Sequence, residues 1–276
     1  MNMFRAAVAA AVCALTLAVS SESIRPFGFT DLSLGSSVGA LIKKHGPPNV
    51  VTTDVGQIWT WDWAAGKVRV TTDDDGIVRL FDLLPSPKNP VSFALPGTPP
   101  LILNFGRMTA PQADIHYKSL AVFSANTIFP DSSAKAVARG YRLSPSRDAV
   151  MLFEDATQTL SEVSFGEQTY LARAGFLPAN SVDPPAVKMT APVLVHQGSS
   201  DYPATKIEGD TFVRITVDET GKVSGATVFA TAGDINLDRA ALASAKSYSF
   251  KPATRDGVPV ASVFFHKEIF RTVPFK

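Results

Sequence analysis

Two stretches crowded with proline set the outline of this chain. The first holds Pro85, Pro87, Pro90, Pro96, Pro99 and Pro100; the second runs from Pro178 through Pro184, Pro185 and Pro192 and ends in Gly198-Ser199-Ser200. Proline lacks a backbone donor and pushes its predecessor toward extended geometry, so such stretches read as connectors rather than core strands. They leave segments 24–84, 101–178 and 201–276, joined by linkers at 85–100 and 179–200. With 276 residues in all, each segment is long enough for a small domain.

Residues 1–21 read as an export signal. Arg5 supplies a positive start, Ala6 to Val19 is an unbroken run of apolar and small residues, and Ala18, Ser20 and Ser21 offer a cleavage site. The run is short for a hydrocarbon core, which takes about 20 residues to span. Cleavage would release the mature chain; a retained signal-anchor is the alternative. Cys13, the only cysteine, lies inside this signal, so a cleaved chain has no thiol, disulfide or cysteine metal site. A formal net charge of +1 with scattered Lys and Arg argues against a nucleic-acid partner, which needs clustered cations.

The first segment opens with Ser36 as expected N-cap of a helix over 37–45, stopped by Gly46 and Pro47-Pro48. Strands are expected at Ile58–Trp63, Lys67–Thr72 and Ile77–Leu83, with turns at Ala65-Gly66 and Asp73-Asp74-Asp75-Gly76. Trp59, Trp61 and Trp63 share one face of the first strand, as either a core and rim or a surface that stacks on a ligand. In the second segment, Asp131 is read as the cap of a helix over 132–139. Strands at Tyr141–Leu143, Ala149–Glu154 and Leu160–Phe165 would follow, making this segment a degenerate repeat of the first.

In the last segment Val213, Ile215 and Val217 alternate with polar residues, the period of a half-buried strand. Asp218 to Gly221 turns the chain into a partner strand, Val223 to Ala230. Asn236 is the expected cap of a helix whose Leu237, Ala241, Ala245 and Tyr248 share one face. A final strand is expected from Val258 to Phe270. Together these patterns indicate an α+β class: small helix-plus-antiparallel-sheet units in tandem.

Two resemblances follow from ordered motifs. Tyr202-Pro203, Val213-x-Ile215-x-Val217-Asp218-x-x-Gly221-x-Val223, Leu237-Asp238-x-x-Ala241-Leu242, Phe250-x-Pro252-Ala253 and Gly257-x-Pro259-Val260 occur in sequence. This succession resembles the TonB C-terminal domain family over about 202–270. Leu34-Gly35 through His45-Gly46-Pro47-Pro48, then Trp59-Thr60-Trp61, Val68-Arg69-Val70 and Asp75-Gly76-Ile77-Val78, resembles BamE and the β-lactamase-inhibitor proteins over about 31–84.

The first resemblance implies a three-stranded sheet beside a helix, and an edge strand that accepts an extended segment of an envelope partner. The residues expected to do so are Val260, Ser262, Phe264 and His266, with Tyr202 and Pro203 at the start of the domain. The partner would be an outer-membrane receptor or assembly component, with a link to TonB-dependent transport. The alternatives for this strand are pairing within its own fold or with a second copy in a homodimer. The expected location is the periplasm after cleavage, or the inner membrane, facing the periplasm, if the signal is retained as an anchor. Two departures stand out: few residues separate Pro203 from Gly209, and folded segments replace the long spanning linker of a transducer. The second resemblance implies instead an assembly factor or secreted inhibitor acting through the tryptophans.

Enzyme chemistry finds no constellation. Gly35-Ser36-Ser37-Val38-Gly39 matches the letters of a nucleophile elbow, yet an antiparallel meander follows instead of a large parallel sheet. His45, His116, His196 and His266 are isolated from one another, and Asp73-Asp74-Asp75-Gly76 lacks the spaced ligands of a calcium loop. No catalytic residue, metal or small-molecule cofactor is expected.

Overall fold

The computed structural model describes residues 32–63, 66–86, 92–95, 101–125, 136–178, 188–199, 203 and 207–272. Helix α1 (Val38–His45) starts at Ser37, one residue after the expected cap; the Ser37 hydroxyl accepts from Gly39 N at 3.2 Å. Lys43, Lys44 and His45 fill its last turn, where cations suit the helix dipole. Gly46, at φ 82, donates back to Ile42 O and ends the helix. Four antiparallel strands follow: β1 (Asn49–Thr52), β2 (Gln57–Trp63), β3 (Gly66–Thr72) and β4 (Val78–Pro85).

A hairpin of β5 (Ser92–Leu95) and β6 (Leu101–Asn104) comes next. Part of the first expected linker is therefore strand: the five residues between Pro90 and Pro96 contain no proline, and Ser92–Leu95 pair with β6. Helix α2 (Ala110–His116) leads to β7 (Ala121–Ser124), β8 (Ala136–Ser144), β9 (Arg147–Glu154) and β10 (Leu160–Glu167).

The expected helix over 132–139 is a correction. Asp131 lies outside the described residues, but Ala136–Arg139 belong to β8, paired to both β7 and β9. Pairing with β9 along Ala136–Arg139, joined by β7 at Arg139, outweighs the helix propensity of three alanines. Gly140 marks the same commitment, since a Cβ there would sit 2.0 Å from the Phe123 ring. The helix comes earlier, where Gln112 Oε1 accepts from the Thr109 backbone N–H at 2.9 Å and Pro111 occupies the first turn.

The other eight described strands of these two segments form one antiparallel sheet, in the order β1-β2-β3-β4-β10-β9-β8-β7. The seam is β4 against β10, with Phe81 opposite Phe165. One face carries Trp59, Trp61, Val68, Val70, Phe81, Tyr141, Met151, Phe153 and Val163 into a large core. On the opposite face, α3 (Gln168–Arg173) lays Leu171 and Ala172 over Leu80, Val150 and Leu152.

The remainder holds β11 (Met189–Thr190), β12 (Val193–His196), β13 (Gly209–Val217), β14 (Val223–Ala230), α4 (Ile235–Ala245), β15 (Ser249–Lys251), β16 (Ala253–Arg255), β17 (Val258–Val260) and β18 (Ser262–Phe270). Strands β11 and β12 fall inside the second expected linker and pair with β16 and β15 respectively. The expected final strand is split: β17 belongs to a small sheet β11-β16-β17, and β18 to the sheet β14-β13-β18. Helix α4 is capped by Asp234 rather than Asn236, its carboxylate accepting from the backbone N–H groups of Asn236 and Leu237.

Candidate functional site: the edges of the C-terminal sheet and the junction beside them

Strand β13 is the centre of this sheet, and its alternation sends Val213, Ile215 and Val217 toward α4. Asp238 locks that layer. Its carboxylate accepts from Thr211 Oγ1 at 2.8 Å, Thr231 Oγ1 at 2.6 Å and Ala232 N at 3.1 Å, tying the helix to both neighbouring strands. The aspartate of the Leu237-Asp238 motif is thus a structural tether, with each oxygen satisfied.

Strand β18 buries side chains on both faces. Phe264 packs on Phe250 with centroids 5.0 Å apart, and Phe270 joins the α4 core. His266 lies edge-on to Tyr248 and 3.3 Å from Glu268 Oε2, which also accepts from the Tyr248 hydroxyl. Burial and the neighbouring Glu268 push the Tyr248 phenol up to about 12, so it stays a donor. The other face carries Val263 and Phe265 into the core of the eight-stranded sheet.

There Trp59, with 0% of its surface exposed, meets Phe212, Phe229 and Phe265 at centroid distances of 5.7, 5.8 and 5.0 Å. Its indole N–H donates to Thr72 Oγ1 at 3.0 Å. Trp61, 4% exposed, donates to Gly46 O at 2.9 Å. Neither ring is a binding surface: the alternation that aligns them points them inward. The side chain of Trp63 lies outside the described residues, while its backbone pairs with Gly66.

The outer edge of β18 has a neighbour in the same chain. Strand β1 runs close beside it, and side chains bridge the gap in place of a backbone ladder. Gln57 Nε2 donates to Val263 O at 3.2 Å, and Phe265 N donates to Thr52 Oγ1 at 3.4 Å. Lys267 Nζ reaches Pro48 O at 3.0 Å. From Val263 to Lys267, then, the edge expected to accept a partner is covered by the chain's own first segment. Among the described residues, no strand lies beside the opposite edge, β14.

Of the residues expected at the partner site, Ser262, Phe264 and His266 lie on β18, and Val260 lies on β17 opposite Ala253. Pro203 is half-buried, and Tyr202 lies outside the described residues. Residues without a sequence signal matter as much: Gln57, Thr52 and Lys267 act across more than 200 positions.

Where β18 begins, a cleft of about 510 Å³ opens between the β1–β2 turn, the Asp73–Asp75 turn, α3, β11 and β16. Asp73 organises its turn by accepting from the N–H groups of Asp75 and Ile77 and by pairing with Arg79 at 2.9 Å. No group of His, Cys, Asp or Glu that could hold a metal ion occurs among the described residues. No described helix is long and apolar enough to cross a membrane.

Residues 202–269 match the family described as Gram-negative bacterial TonB protein C-terminal. No curated protein matches the chain. Among solved structures, a cysteine-rich secretory protein from Staphylococcus aureus subsp. aureus Mu50 is 12% identical, with 54% of this chain and 48% of that one covered. The TM-score of that match is 0.28, too low to define a shared fold; the chain spans about half the length of that protein. The helix-backed sheet around β13 coincides with the matched span, and so the C-terminal region of this chain, residues 202–269, carries a TonB C-terminal domain.

Proposed function

We propose that this is a non-enzymatic cell-envelope protein, periplasmic in its mature form, that binds an extended segment of an envelope partner by strand addition to its C-terminal domain. The observation that supports this best is the sheet β14-β13-β18, whose β14 edge pairs with no strand among the described residues and whose β18 edge is covered by the first segment only from Val263 to Lys267. An unpaired row of N–H and C=O groups is a template for another chain. TonB C-terminal domains act on outer-membrane receptors, which makes such a receptor the first partner class to test. The reading as an inhibitor or assembly factor acting through the tryptophans loses its surface, because Trp59 and Trp61 are buried.

The test places a photo-crosslinking side chain at Ser224 on β14, at Ile269 near the end of β18, and at Thr190 beside the cleft, in cells expressing the full chain. Adducts with one envelope protein at any of these positions support the reading. Absence of adducts at all three, with the protein folded and exported, overturns it.

A further inference from the structure

The start of β18 lies outside the stretch that the first segment covers, and it opens into the junction cleft. At about 510 Å³ this space falls in the range of ligand sites, roughly 300–1,000 Å³. Two buried polar atoms among its lining residues have no hydrogen-bond partner among the described residues: Ser262 Oγ and Arg173 Nε. The rest of the Arg173 head is engaged, since Nη2 donates to Asp54 O at 2.5 Å and the guanidinium lies over the Tyr170 ring. A buried polar group without a partner is costly, so each atom gains if an acceptor is brought to it.

Charge narrows what that acceptor belongs to. Asp54, Asp73, Asp74 and Asp75 line the cleft against Arg173 and Arg255. Asp73 is taken by Arg79, and Asp75 lies 3.8 Å from Arg214. Asp54 and Asp74 have no ion pair of their own among the described contacts, and both are exposed at the surface. A free carboxylate would satisfy the orphaned donors but meet this acidic rim. A peptide meets both demands, with neutral carbonyls for the donors and a basic side chain for the carboxylates.

We propose that this cleft binds a short extended peptide segment bearing a basic side chain. Its main-chain carbonyls accept from Arg173 Nε–H and the Ser262 hydroxyl, and its cation lies against Asp54 and Asp74. The proposal rests on the strand-addition reading in one respect, that the segment runs along the start of β18.

Fluorescence anisotropy on the full-length protein tests it with two labelled six-residue peptides blocked at both ends, one alternating valine and lysine, the other valine and glutamate. The lysine peptide is expected to bind at least about tenfold tighter, and the double variant Asp54→Asn/Asp74→Asn to erase that preference. Ser262→Ala, which leaves the acidic rim intact, is expected to weaken the lysine peptide several-fold while the preference remains. Equal binding of both peptides, no binding of either, or a preference unmoved by the double variant overturns the proposal. So does tighter binding of labelled N-acetylalanine, the free-carboxylate probe. Thermal melts of each variant establish that the fold is intact. If these peptides fail while crosslinks form at Ser224, strand addition stands and its site is β14; if neither occurs, both readings fall.

Discussion

The two halves of the eight-stranded sheet are built alike and finish differently. Each is a helix followed by four antiparallel strands, and the halves meet at β4 and β10. Even the helix starts match: Ser37 bridges Ile77 just before β4, and Thr109 bridges Thr159 just before β10. The strand second in each half carries large aromatics inward, Trp59 and Trp61 in β2 and Tyr141 in β8. Tyr141 is closed off within its own half, stacked edge-on to Tyr117 and donating to Asp114 at 2.8 Å. Trp59 is closed off by the C-terminal domain. The same scaffold is self-contained on one side and a docking platform on the other. What differs is whether the aromatic meets the half's own helix or a foreign sheet.

The strongest way to break this comparison is to delete each aromatic. Trp59→Ala is expected to cost about 3–5 kcal/mol in urea unfolding and to speed amide exchange along β18. Tyr141→Ala should cost a similar amount while leaving β18 exchange unchanged at matched stability; if it too loosens β18, the halves are not distinct. Next, Gln57→Ala leaves the Val263 carbonyl without its donor. A loss of about 1–2 kcal/mol is expected, with the exchange increase confined to Val263–Lys267. Tyr141→Phe removes only the hydrogen bond to Asp114 and should cost about 1 kcal/mol by thermal melt. Because burial and Asp114 raise that phenol far above its ordinary value, the difference should not vary between pH 6 and 9.

The smallest effect lies at the seam. Burial raises the Asp82 carboxyl above its ordinary range, although Ser164 Oγ donates to it at 2.6 Å. The folded chain thus holds this proton more tightly than the unfolded chain. Stability falls as pH rises from the ordinary carboxylate value through the raised one, and the penalty then persists to neutral pH. Asp82→Asn should remove that slope and stabilise the protein at pH 7 by on the order of 1 kcal/mol, read from unfolding curves across pH 4–8.

What could be read in the sequence was whatever is local. The stop at Gly46-Pro47-Pro48, the alternation at Val213, Ile215 and Val217, and the turn at Asp218–Gly221 depend on neighbours within a few residues, and the structure has them in place. The helix α2 had a local signal, Thr109 followed by Gln112 and Pro111, and was obscured by the alanines at 134, 136 and 138. Asp234 and Asn236 are both good caps; Asp234 wins because its single oxygen reaches two successive N–H groups. The candidate site was legible only as strand β18 and its two apolar faces. Its cover was not, since nothing in Thr52 or Gln57 announces a backbone N–H or carbonyl more than 200 residues away. Nor does a tryptophan's position in a strand reveal which body will bury it.

The contact between β1 and β18 also sets an order of events in time. Thr52 and Phe265 meet only when nearly the whole chain is present, so the loop they close is among the longest the protein contains. Non-local contacts of this kind form slowly. Until the last strand arrives, β1 and the Trp59 face are open to any other chain nearby, so newly made protein is most prone to mispairing just before its C-terminus is delivered.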